Sequence, residues 1–190
     1  GRLIHGLAVA QRSGARLGLL LVSLGNLEEF TDAMGHASGE QVLHLAAQRL
    51  AGAVRATTGG TSGNGRIDGA WNSITATDET VLFWQHVRLA NLASGDSRNP
   101  GAEGVVIADW VPRNAFSGRI GITSTSPLTG WGGSFFICQE NLAGTFARQV
   151  DIAMDDGLPN TGTVRLLSSG AAVAQADLND ATVYTVCAAY

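Results

Sequence analysis

A wide apolar stripe within residues 39–57, GEQVLHLAAQRLAGAVRAT, constrains this chain more than any other feature. Leu43, Ala47, Leu50 and Val54 recur at spacings of three and four, and Val42, Ala46 and Ala53 broaden the stripe. Gln41, His44, Gln48, Arg49 and Arg55 fall on the opposite face. A helix of this pattern must lie against a sheet or a second helix. Thr57-Thr58-Gly59-Gly60 is expected to end it, because glycine leaves the helical region without steric cost. The Gly-rich run TTGGTSGNGRIDG that follows is the sharpest change of composition, and it divides the chain into residues 1–57 and 58–190.

The apolar share of 45% and the charged share of 15% exclude a disordered or highly solvated chain. All twelve strong cations are arginines, and seven of them stand against twelve acids after residue 57. That acidic balance argues against a nucleic acid partner. The longest apolar run, residues 17–24 with Ser23 inside it, is far short of the roughly 20 residues that a membrane span needs. No basic-then-apolar leader with a small-residue cleavage site precedes it. As written, the chain is expected to be soluble.

In the first part, residues 2–13 have helical spacing. Residues 16–24 read as a strand buried on both faces, and residues 26–34 as a helix that breaks at Gly35. This is an α/β fragment. The run LGLLLVSLGNLEEFTDAMGHASGEQVLHLAAQRLAGAVR, with Gly35-His36 and Gly39 in place, resembles the first half of a GGDEF (diguanylate cyclase) domain. Ser23 and Gly25 stand where that family has acidic residues, the first of them a metal ligand, and Thr31 and Glu40 stand where it has the guanine-reading Asn and Asp. The signature loop with the second metal carboxylate does not follow. Cyclisation of a triphosphate needs divalent metal to offset charge and activate the 3′ hydroxyl. The resemblance therefore implies a catalytically dead segment, with either a structural role or residual guanine-nucleotide binding.

In the second part, Asn64-Gly65-Arg66-Ile67-Asp68 matches the middle of a calcium loop of the EF-hand type. The early loop oxygens would fall on Gly60 and Ser62, and Trp71 takes the closing Glu position, so a glycine turn braced by Asn64 and Asp68 is the competing reading. Residues 77–92 form the clearest helix, capped by Thr77, with Asp78 and Glu79 in its first turn. Leu82, Phe83, His86, Val87 and Ala90 make its inner face, broadened by Val81, Trp84 and Leu92. His86 lacks a neighbouring nucleophile pattern and is expected to be either a packed or a rim histidine. Strands are expected over 118–123, 133–138, 162–167 and 182–188, with a helix over 142–154, giving an antiparallel sheet. Asp151, Asp155 and Asp156 are the richest acidic cluster. They suit a calcium site, or a solvated helix end whose carboxylates brace the turn before Gly157-Leu158-Pro159.

GNGRIDGAWNS, TATDETVLFWQHVRLANL, Cys138-Gln139 and DDGLPNTGTVR leading to YTVC resemble the head of a type IV pilin or type II secretion pseudopilin. The resemblance implies an α+β fold, with a spine helix packed on a four-stranded antiparallel sheet. It also implies a Cys138–Cys187 disulfide, worth about 4 kcal/mol on the loop-entropy model, and an extracellular or periplasmic location. Two buried thiols remain the alternative. Other pilin subunits would be the partners, and a membrane would be met only through an N-terminal apolar helix that this chain lacks. Metal binding near the C-terminal loops of some relatives keeps calcium as the candidate cofactor.

Joined, the two parts imply a pilin-like head preceded by a degenerate GGDEF-like fragment, with the helix over 39–57 in the spine's place and Leu43, Leu50 and Val54 against the sheet. The function expected is structural, in a filament or secretion pseudopilus, with surface adhesion open to Trp71, Trp84, Trp110 and Trp131. No nucleophile motif, zinc spacing or phosphate loop points to an enzyme. The rival is a cytosolic signalling module with reduced cysteines, whose first part binds a guanine nucleotide.

Overall fold

The computed structural model describes residues 52–61 and 63–190, together with Asp32, Gly35, Ser38, Gln41, Val42, His44 and Leu45. The chain divides into two compact units, Gly1–His44 and Leu45–Tyr190. Among the described residues of the first, Asp32, Ser38, Gln41, Val42 and His44 are helical. Gly35 interrupts them at φ +86°, a backbone state that side chains disfavour, and its carbonyl accepts from the Ser38 amide at 3.1 Å. The expected break at Gly35 is therefore present. The helix expected over 2–13, the strand over 16–24, and residues Ser23, Gly25, Thr31 and Glu40 lie outside the described residues.

The helix expected over 39–57 does not reach Thr57. Leu45 is helical, but Gly52 lies in a turn and residues 53–57 have no regular structure. Their polar backbone groups are satisfied sideways instead of along a helix. Gln85 accepts from the Val54 amide at 2.9 Å and donates to the Gly52 carbonyl at 3.2 Å, while His86 Nε2 lies 2.8 Å from the Val54 carbonyl. Thr58 then pairs with Asp78 in an isolated parallel bridge. Leu43 and Leu50 lie outside the described residues, and Val54 is half-buried.

The expected helix over 77–92 is the shorter α1, Glu79–Leu89. Asp78, not Thr77, is its N-cap residue; the Thr77 carbonyl is taken by the amides of Thr57 and Thr58. Its end is a Schellman turn: Asn91 adopts φ +62°, its amide reaches the Arg88 carbonyl, and the Leu92 amide reaches Val87. The inner face also differs from expectation. Thr80, Val81, Leu82, Gln85, Arg88 and Leu89 are buried, whereas His86 is exposed and Leu92 is 81% exposed. Gln85 and Arg88 go inside because two irregular backbone segments need donors and acceptors there. Arg88 donates to the carbonyls of Ser94 and Asp96 at 3.2 Å each, and its guanidinium lies 4.4 Å from the centre of the Trp110 ring. Trp110 closes the one-turn helix α2, Ile107–Trp110, and packs with Val81 and Val111.

The sheet comprises β1 (Ile120–Thr123), β2 (Phe136–Ala143), β3 (Val164–Ser168), β4 (Ala171–Ala172) and β5 (Val183–Ala189). Its order is β1-β2-β5-β3-β4, with every pairing antiparallel. The fold is thus α+β as expected, with a short fifth strand added to the four. β2 runs to Ala143, past the expected end at Cys138, through an irregularity between Gln139 and Leu142 where Asn141 takes φ +64°. That extra residue shifts Leu142 to the α3 side of the sheet, with Tyr184 and Val186, opposite the face of Phe136 and Cys138. Helix α3, Gly144–Met154, starts at once and lies across β2, β3 and β5. Ala147 on the helix meets Leu142, Val164, Leu166, Tyr184 and Val186 from the sheet. Among the described residues, α3 covers β2, β3 and β5, and α1 lies against β1.

Replacing Gln85 by Ala would leave the Val54 amide and the Gly52 carbonyl without their partner. A loss of about 1–3 kcal/mol in unfolding free energy is expected, read as a lower urea midpoint at unchanged slope.

Candidate functional site

The last turn of α3 and the loop into β3 bring three carboxylates together. Asp151 and Asp155 are one turn apart, and Asp156 follows where the chain leaves the helix. One oxygen from each lies within 4.8 Å of the others. Asp155 joins the helix end to the sheet, since its Oδ2 accepts from the amides of Thr163 at 2.5 Å and Val164 at 2.8 Å. Gly162 makes that approach feasible: its φ is +63°, and a Cβ there would collide with the Asp155 carboxylate. Asp156 braces the turn expected before Pro159, accepting from the Leu158 amide at 2.9 Å and the Thr161 hydroxyl at 2.6 Å.

Asp151 is different. Its residue exposure is 1%, and its Oδ1 is buried without a hydrogen-bond partner. Burial pushes its carboxyl above the ordinary value; the charges of Asp156 and Asp155 push the same way, against a hydrogen bond from Gly157. Asp156 is held below its ordinary value, chiefly by the Thr161 hydroxyl, with Leu158 and the charge of Arg165 assisting. Arg165 itself is spent on the Gly162 carbonyl at 3.3 Å and the Trp131 ring at 5.0 Å. The arrangement gathers three carboxylates at one corner, one of them buried.

The other candidate loop is differently made. Asn64 donates its amide to Asp68 Oδ2 at 2.6 Å, Arg66 reaches Asp68 Oδ1 at 3.4 Å, and the Thr61 amide lies 3.4 Å from Oδ2. These contacts close a braced turn around Asp68. Its carboxyl sits below 3.8, first because of Asn64, while burial opposes and Thr61 and Arg66 assist. The structure thus separates Asn64 and Asp68 from Asp151, Asp155 and Asp156 in character: the first pair is internally satisfied, the second group is not.

Cys138 and Cys187 occupy paired positions on β2 and β5 and form a disulfide, both fully buried beside Phe136, Leu167 and Trp131. His86 bonds the Val54 carbonyl, so it serves the backbone at a rim. Trp110 and Trp131 are buried, and Trp71 and Trp84 half-buried, which makes anchors of all four. Trp131 Nε1 donates to Gly162 at 3.1 Å, on the loop that holds Asp155. An ion pair between Arg119 and Glu140, at 2.8 and 3.0 Å, links β2 to the residue before β1. Neither partner stood out in the sequence, because each is an ordinary charge until the strands pair. A surface groove over Trp71, Thr123, Ser126 and Thr185 contains Glu140, a carboxylate already committed to Arg119.

The family model described as diguanylate cyclase, GGDEF domain, matches residues 2–64, about one third of the chain. No pilin family model matches. No curated protein and no solved structure matches either. The N-terminal resemblance is thereby supported at the level of a GGDEF domain fragment, which runs a few residues past the expected boundary at Thr57.

Two outcomes follow. Asn64→Ala should move the Asp68 titration midpoint up toward 3.8, measured by NMR of the side-chain carboxyl. Because the folded-state value is depressed, the stability it contributes is present above the ordinary carboxylate value and is lost as pH falls from there through the folded-state value. Cleaving the disulfide that spans 49 positions should cost about 4 kcal/mol on the loop-entropy model, read by urea unfolding with and without reductant.

Proposed function

We propose that residues 58–190 are the head of a type IV pilin-like or type II secretion pseudopilin-like subunit, which works by packing and carries no catalytic residues. The observation that carries this reading is the Cys138–Cys187 disulfide, buried between neighbouring strands at the middle of the sheet. A cross-link so placed suits an oxidising compartment, periplasmic or extracellular. The motifs GNGRIDGAWNS and DDGLPNTGTVR supply the pilin-like assignment. An antiparallel sheet crossed by a helix is consistent with it. Its partners would be other subunits of the same assembly, and nucleic acid would not be among them.

A second reading is a cytosolic signalling module. The family match over residues 2–64 favours it, and of the two readings it is the one that the comparisons support better. Ser23 and Gly25, in place of acidic residues, support a version that binds a guanine nucleotide without turning it over.

One set of measurements on the full chain separates them. With GTP and magnesium, the filament-subunit reading predicts no cyclic dinucleotide and no change in the thermal midpoint, and recovery of the protein from outside the cytosol. A saturable rise in midpoint with guanine nucleotide, on protein recovered from the cytosol, would transfer the assignment to the signalling module. Formation of a cyclic dinucleotide would overturn both readings.

A further inference from the structure

We propose that the pocket beside the last turn of α1 binds a carboxylate ligand with an apolar body, and that Arg88 recognises its charge. The pocket, of about 440 Å³, lies between Arg88, the loop through Gly95 and Arg98, and α2. Its size is that of small-molecule sites, about 300–1,000 Å³. Arg88 is 5% exposed and forms part of the wall. Its Nε and Nη1 donate to the carbonyls of Ser94 and Asp96, and its guanidinium lies over Trp110. These partners are all neutral groups. They take two of the five N–H donors of a guanidinium and leave its charge without a counter-ion. Nη2 donates to no described residue, yet it is not shut away from solvent as Trp110 Nε1 is on the same wall.

The neighbouring acids do not supply that counter-ion. Asp96 spends its carboxylate on Arg98, at 2.7 Å to Nη2 and 2.8 Å to Nε, and on the Arg98 amide at 2.9 Å. Asp109 is paired with Arg113 at 3.3 Å. Asp96 acts on Arg88 only through space: burial lowers the Arg88 value from the ordinary one, and the charge of Asp96 opposes it without prevailing. A buried charge with no ionic partner is costly, and a carboxylate set against Nη2 would offset it through charge-assisted hydrogen bonds. The rest of the wall narrows the ligand. Val105, Val106, Val111 and Trp110 give it apolar surface, while Asp96 and Asp109 disfavour a dianion such as phosphate. One unbalanced cation beside an apolar wall matches a monocarboxylate whose body is apolar. Small organic acids and peptide C termini both carry that chemistry. This inference does not depend on either functional reading.

The test is a ligand titration of the nitrogen-15-labelled, disulfide-intact full chain, followed by NMR at Arg88 Nε–H and Trp110 Nε1–H. The small-acid probe is 3-phenylpropionate, and the chain-terminus probe is N-acetylglycylphenylalanine, each run beside its neutral amide. At least one acid is expected to give saturable shifts with a dissociation constant on the order of 1 mM or below, and its amide to bind about tenfold more weakly. The acid that binds more tightly identifies the source of the carboxylate. Arg88→Lys keeps the charge but loses the planar fork, and should weaken binding about tenfold. Should that variant fail to fold, Val106→Asp supplies the same test. Position 106 is 61% exposed at the N-cap of α2, where Asp is well suited, and the new carboxylate would repel the ligand. Arg148→Gln, on α3 beside Asp180, should change nothing. Absence of saturable shifts up to about 20 mM of either acid would overturn the proposal. So would equal binding by the amides, undiminished binding by Arg88→Lys or Val106→Asp, or tighter binding of inorganic phosphate than of either acid.

Discussion

The pairing of β2 with β5 is the constraint on which the rest of the Leu45–Tyr190 unit depends. β5 ends one residue before Tyr190, yet it lies in the middle of the sheet, with β2 on one side and β3 on the other. No adjacent strand pair of β1, β2 and β3 exists without it, except β1 with β2. The disulfide joins the two strands where their paired side chains meet in the core, so it fixes register as well as proximity. Beyond the strands, the Tyr190 amide and carbonyl continue the pairing to Phe135 and Ser134, and the rings of Phe135 and Tyr190 stack at 5.0 Å. A sheet closed by its last strand makes its decisive contacts across long stretches of chain, which a cross-link helps to hold.

The acidic corner follows from this frame. β3 is held by β5, and α3 is held by Leu142, Val164 and Leu166 beneath it. The loop between them must therefore return to a fixed place. Asp155 accepts the first amides of that return, and Gly162 gives the carboxylate room. Asp151 then finds itself under the loop, one helical turn back and shut off from water. Its cost is tolerated because the core around it is set by other residues.

Much of residues 58–190 was legible because it rests on local patterns. The strands around Ile122, Cys138, Leu166 and Val186 show short β-branched or aromatic runs between turns, and α1 and α3 show spacings of three and four. What was not legible depends on distant backbone. Gln85 and Arg88 read as outward residues because periodicity scores them as polar, yet residues 52–54 and 94–96 supply partners that draw them inside. The same contacts explain why the apolar stripe through Val54 overstates its helix: side chains of α1 satisfy backbone that a helix would otherwise have satisfied. The extension of β2 hinges on an Asn141 in the left-handed region, for which sequence offers little warning. In the acidic cluster the three residues were visible, but their inequality was not. Only the fold makes Asp151 buried, Asp155 a tether and Asp156 a brace.

The central claim is that the sheet is locked through Cys138 and Cys187, and its most direct test is peptide mass spectrometry of the protein from its native host. The sample would be digested without reductant after thiols are alkylated. The structure predicts one cross-linked peptide pair carrying Cys138 and Cys187, with neither residue alkylated. Recovery of both cysteines as alkylated thiols would contradict the account and move the protein to a reducing compartment.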